Sequence, residues 1–218
     1  MDLDTTGSIF FDILFLRNGF ADGLALTLTL ALFVWINGLI IGFLLAEIKF
    51  ALPKNIRFII NFILWLFKSV PIFILMFYFY YDYYATYDNS QYILFSTPFV
   101  ASSSAMSFWA IASMADIFYR CRIYRASHQT ATSTNINFLI AIPQAIRFLA
   151  TIITITPIAS ILVVPEFFSV VHLYLISAYD DISQIMYATI LVYLFIIGVI
   201  TIIAKVLDKI LHVQQELF

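Results

Sequence analysis

The chain holds one cysteine, Cys121, and three histidines in 218 residues. A lone cysteine excludes a disulfide framework and a cysteine-based zinc site. Neither His172 nor His212 has a second histidine, cysteine or carboxylate at ligand spacing, so no metal is expected. There is no glycine-rich phosphate loop, no nucleophile elbow and no arrangement of paired carboxylates. The chain therefore carries no expected enzyme chemistry, cofactor or nucleic-acid partner. The start, "MDLDTTGSIFFDILFLRNG", lacks the basic region of a cleavable signal peptide, and Asp12 interrupts its apolar part. Charge is scarce too. Only 11% of residues are charged, against about a quarter in a typical soluble domain.

What is present is apolar. The chain is 63% hydrophobic, with a mean hydropathy of +0.98. Several apolar runs approach the roughly 20 residues that cross a bilayer as a helix, and none shows the short alternating segments of a barrel. The expectation is an all-α integral membrane protein of one domain, residues 1–218, with spans at about 24–46, 57–80, 93–117, 144–164 and 184–205. Residues 8–17 are too short and too acidic to cross and read as an interfacial helix.

Lysine and arginine set the direction. Lys49, Lys54 and Arg57 follow the first span, Arg120, Arg122 and Arg125 the third, and Lys205 and Lys209 the fifth. All fall on one side if the N-terminus is outside and the C-terminus cytoplasmic. Asp82, Asp88, Glu166, Asp180 and Asp181 then fall outside, as do the interfacial tyrosines at 78–84.

Some residues inside the spans stand out. Gly38 and Gly42 form a small-xxx-small pair that lets two helix backbones approach. "ASSSAMSFWAIASMAD" places Ser103 and Ser107 in a small, hydroxylated run that suits either tight packing or a polar path. Lys68 sits near the middle of the second span, one turn before Pro71. A cation at that depth needs protein or water around it; otherwise residues 57–67 lie along the inner interface and Lys68 snorkels. Buried in protein, Lys68 should matter more than Lys49. Asp116 and Arg120, four apart, suit a pair on one helix face.

These residues carry a resemblance. "FKSVPIFILMFYFYYD", "ASMADIFYR", "AIPQAIRF" and "ILVVPEFF" resemble segments of the inner-membrane permease subunits of ABC importers for polar amino acids, and the similarity runs from about Gly23 to Lys209. The family's basic-Ser-x-Pro segment falls on Lys68 and Pro71, and its Leu-Pro-Gln-Ala-Leu-Arg start of span four falls on Pro143 and Gln144. The resemblance implies a five-helix permease bundle in a bacterial inner membrane, in contact with lipid. It implies a second permease subunit, separate ATP-binding subunits and an extracytoplasmic solute-binding protein. It makes Lys68, Ser103, Ser107, Thr154, Pro157 and Ser160 candidates for a path or gate. Asp116, Arg120, His128, Gln129 and Gln144 become candidates for ATPase coupling.

The prolines then fit. Pro143 starts span four, where its missing N–H costs nothing, and Gln144 covers nearby free amides. Pro157 frees the carbonyl of Ile153, with Thr154 and Thr156 close enough to satisfy the disturbed turn, so a kink is expected. Pro165 ends the span. The departure is the cytoplasmic loop at about 119–143. The family usually reads Arg-Gly-Gly, Pro-Lys-Gly-Gln and Glu-Ala-Ala there. This chain keeps only Gln129 and is about seven residues shorter, close to two helical turns. A decayed or repurposed permease, acting as a non-transporting membrane component, is the alternative reading.

Overall fold

A computed structural model describes residues 3–84, 97–127, 134–177 and 182–216. The described residues are almost wholly helical. Helix α1 (Leu3–Leu14) turns through Leu16, Asn18 and Gly19, all at positive φ, into α2 (Phe20–Ala51). Next come α3 (Lys54–Ser69), α4 (Ile72–Tyr84), α5 (Thr97–Ser127) and α6 (Thr134–Ile155). A 3-10 segment (Thr156–Leu162), α7 (Phe167–Ser177) and α8 (Ile182–Glu216) follow.

Helix α5 is the centre. It packs on α2, α3, α4 and α6, and the face it buries is small: Ala101, Ser102, Ala105, Ala110, Ala112 and Ala115 are all fully covered. At about 1.5 Å per residue its 31 residues exceed a bilayer core of about 30 Å. Its serines leave it less apolar than the spans around it; among the described residues three other helices are long and apolar enough to cross a membrane, α2, Ala141–Leu162 and Ile182–Leu211. A helix surrounded by protein does not need a lipid-like surface. Most of the exposed apolar side chains sit on the helices around it, for example Ile40, Phe58 and Phe195, with Phe108 and Ile123 the exposed large ones on α5.

The expected second span is broken. Helix α3 and Ile72–Asp82 meet at 93°. The cause is local: Pro71 has no N–H, and Val70 before it is forced into extended backbone (φ −74°, ψ 127°). Only the bent pair taken together adds a fourth candidate span.

Two further boundaries differ from expectation. Helix α6 begins at Thr134, so Pro143 lies inside it, and the helix claims the last ten positions of the supposed loop 119–143. Helix α5 likewise runs on to Ser127. At Pro157 the α-helix gives way to the 3-10 segment, and the Thr156 hydroxyl donates to the Ile153 carbonyl at 2.7 Å. That is the carbonyl a proline at 157 leaves free. The Thr154 hydroxyl turns instead to Thr151. Val163 then takes the left-handed conformation (φ 63°), unusual for a β-branched residue, just before Pro165 closes the segment.

Candidate functional site

The largest polar concentration joins α2, α3 and α5. Asp116 on α5 accepts from two lysines: Lys49 of α2 on Oδ1 at 3.0 Å, and Lys68 at the end of α3 on Oδ2. Lys49 is 2% exposed and Lys68 32%. The Lys49 ammonium also lies 4.3 Å from the Tyr119 ring centre, close enough for a cation–π contact. Arg57 shares that ring at 5.7 Å and donates to the Phe50 and Leu52 carbonyls at the end of α2. Arg122 pairs with Glu47 at 3.5 Å and stacks on Phe50. Every cation here meets an acceptor or a ring, as depth in a bilayer requires.

Two expectations change. Arg120 is exposed, and Asp116 is held by Lys49 and Lys68 rather than by its neighbour on the same helix. Lys68 does not snorkel: its amine meets a carboxylate. Yet Lys49, read from sequence as an ordinary loop base, is the more deeply buried of the two.

The second concentration is at the other end of α2. Glu166, fully buried, precedes α7 and caps it, accepting from the Phe168 and Ser169 amides at 3.0 and 2.8 Å. Thr27 of α2 donates to Glu166 at 3.2 Å and accepts from the Phe167 amide at 3.0 Å. The Tyr193 hydroxyl of α8 is buried beside Glu166 and Thr156, without a hydrogen bond of ordinary geometry. One carboxylate thus draws α2, α7 and α8 together. The signal in sequence was the acid directly after Pro165 at a helix start; its partners, 139 positions upstream and on another span, left none.

Beside this knot lies a cavity of about 310 Å³, lined by Thr154, Pro157, Phe168, Met186, Thr189, Ile190, Tyr193, Leu194 and Ile197. Thr154 and Pro157 are therefore neighbours of one space. Ser160 is not among its lining residues; its hydroxyl donates to the Pro157 carbonyl at 2.6 Å. Ser103 and Ser107 are buried against their surroundings, Ser103 donating to Val100 and Ser107 accepting from Asn37 of α2 at 3.4 Å. Gly38 and Gly42 lie in the same α2–α5 seam: a β-carbon on Gly42 would stand 2.7 Å from the Met114 β-carbon. Gln144 is exposed on the interior of α6, where no free amides await it; its neighbour Arg147 pairs with Asp208 of α8 at 2.8 Å. His128 and Gln129 lie outside the described residues. Among the described residues, no cluster of three or more histidine, cysteine or acidic side chains suits a metal.

Apolar helices long enough to cross a bilayer, packed on a small-residue central helix, define a multi-pass membrane protein of all-α class. No protein-family model matches the chain, and no curated protein does. A solved structure does match: the crystal structure of an amino acid ABC transporter with histidines. The likeness covers 96% of this chain and 99% of that one, at a TM-score of 0.72 and 14% identity. At that identity the likeness establishes the fold, which this chain shares with that transporter chain.

Proposed function

We propose that the chain is a permease subunit of an ATP-driven importer of polar amino acids or similar small solutes. The observation that supports this is the likeness of fold over nearly the whole of both chains. On this reading two permease subunits alternate between outward and inward access. ATP hydrolysis belongs to separate subunits, and a binding protein delivers the solute from outside a bacterial inner membrane. The Asp116 node would hold α2, the α3–α4 elbow and α5 in register as the ATPases close, with Arg120, His128, Gln129 and Gln144 on the docking side. The solute would pass between two subunits, with Lys68, Ser103, Ser107 and Ser160 carried over as path candidates, and with Thr154 and Pro157 as gate positions that shape span four without contacting the solute.

One observation favours a second reading, a non-transporting membrane component. The stretch between α5 and α6 lacks the glycines and the Glu-Ala-Ala of the docking loop. Copurification with an ATPase, then solute-stimulated ATP hydrolysis in lipid, separates the two. Binding with stimulation supports the permease; no binding, alone or with a second permease chain, rejects importer function. Labelling of cysteines placed at Asn89 and Ser133, with Cys121 replaced, tests the orientation. An impermeant reagent should reach 89 and not 133 in intact cells.

A further inference from the structure

The cavity between the 3-10 segment, α7 and α8 has walls that conceal their polar groups. Thr154 donates its hydroxyl to Thr151 at 2.7 Å and Thr189 donates its own to Ile185 at 2.8 Å. The Tyr193 hydroxyl is buried toward Glu166 and Thr156, so the cavity meets only its ring. The other lining side chains are Pro157, Phe168, Met186, Ile190, Leu194 and Ile197. A zwitterionic amino acid placed here would lose hydration at both charges and find no partner for either. An apolar group loses nothing, and about 310 Å³ lies at the small end of ligand-sized cavities, roughly 300–1,000 Å³.

The position of the mouth identifies the occupant. Ile190 and Leu194 line the cavity yet are 48% and 59% exposed, so they form its rim. The rim continues into the exposed apolar stripe of Tyr187, Leu191 and Phe195 on the same helix. The two walls that carry the rim and the Pro157 turn belong to segments long and apolar enough to cross a membrane, Ala141–Leu162 and Ile182–Leu211, so the mouth opens at bilayer depth. We propose that this cavity is a lipid site that takes one acyl chain from the surrounding bilayer, packed against the Pro157 turn, Phe168 and the Tyr193 ring. The proposal rests on the chain spanning a membrane and not on its being a permease.

The test uses the full chain in nanodiscs of phosphatidylethanolamine and phosphatidylglycerol, doped with a phospholipid bearing a diazirine on its acyl chain. After illumination, adducts are mapped by mass spectrometry. Adducts should concentrate on Met186, Tyr193 and Ile197 over the open stripe at Ile202 and Ile203. Filling the cavity with Thr189→Trp should cut the cavity adducts about tenfold, equivalent to about 1.4 kcal/mol of lost occupancy, and leave those at Ile202 unchanged. Met186→Phe gives the same test if the tryptophan variant does not fold. Thr189→Val should change nothing, because that hydroxyl is not offered to the cavity. Even labelling along α8, labelling that ignores the filling variants, or loss of labelling in Thr189→Val would overturn the proposal. So would displacement of the adducts by free histidine, or by crosslinks from Met186 to a second copy of the chain.

Discussion

Asp116→Asn keeps the shape of the node and removes the one negative charge that two lysines share. Lys49, 2% exposed and 3.0 Å away, then faces a neutral amide. Stripping one partner from a buried pair costs about 3–5 kcal/mol, because the remaining charge stays desolvated. Two features hold this case near the lower bound. The Tyr119 ring, 4.3 Å from the ammonium, retains a cation–π contact of about 0.5–2 kcal/mol, and Asp116 itself is 26% exposed. The expected loss is about 3 kcal/mol. Lys68→Met should cost only about 1 kcal/mol, since Lys68 is 32% exposed and Asp116 keeps Lys49. Lys49→Met falls between, at about 1–2 kcal/mol: Asp116 keeps Lys68, and an apolar chain suits the buried stem.

The double variant separates this account from a general loosening of α5. With Asp116→Asn and Lys49→Met together no buried charge is left alone. The pair should therefore be more stable than Asp116→Asn by itself, which requires a coupling larger than the cost of Lys49→Met alone, about 2–3 kcal/mol. Reversible unfolding of the detergent-solubilised chain with increasing SDS, followed by the fluorescence of Trp35, Trp65 and Trp109, measures all four. The reasoning fails if Lys68→Met is as damaging as Asp116→Asn, or if the double variant is no better than the sum of its parts.

Three further outcomes use the same unfolding assay or amide exchange. Gly42→Ala drives a methyl to 2.7 Å from the Met114 β-carbon and 3.0 Å from the Ala115 nitrogen, and should cost about 1–3 kcal/mol. Gly198→Ala, with nothing within 4 Å, should stay within about 0.5 kcal/mol of wild type. Glu166→Ala leaves the first amides of α7 and the Thr27 hydroxyl without their acceptor and should cost about 2–3 kcal/mol. Glu166→Gln should cost less, and amide exchange at Phe168 and Ser169 should rise in that order. Pro157→Ala supplies an N–H to the Ile153 carbonyl, so α6 should extend into residues 156–159, seen as slower amide exchange there.

The class of the protein was legible because it depends on a summed quantity, hydropathy along windows of about twenty residues. Gly38 and Gly42 were legible because small residues one turn apart have few uses in a span. Lys49 was not, for a reason of a few residues. Helix α2 runs to Ala51, five positions past the expected end of the span, and so carries Lys49 onto the face that meets α5 instead of into a loop. Glu166 was read as one of the acids of the outer side and not as a buried cap, because its burial depends on Thr27 and Tyr193 from two other helices. A charge near a helix end reads the same in sequence whether it is solvated or enclosed. Only the neighbouring helices decide.

The prolines make the same point in backbone terms. Each removes one donor and restricts the residue before it, and four of them give four results. At Pro71 the chain turns by 93° and Val70 becomes extended. At Pro143 α6 continues through, held to α2 nearby by the Trp35 indole on the Ala145 carbonyl at 2.7 Å. At Pro157 the helix tightens to 3-10 while Thr156 covers the orphaned carbonyl. At Pro165 it ends, and Glu166 begins the next helix by capping it. What differs is the supply of alternative donors and of packing on either side. In a bilayer interior no water takes that part, so a proline's effect there is set by side chains that sequence places far away. The expected second span is instead broken locally, by Pro71 and the extended Val70 before it. At Pro157 the substitute donor, Thr156, is the immediate neighbour, which is why the sequence could name it.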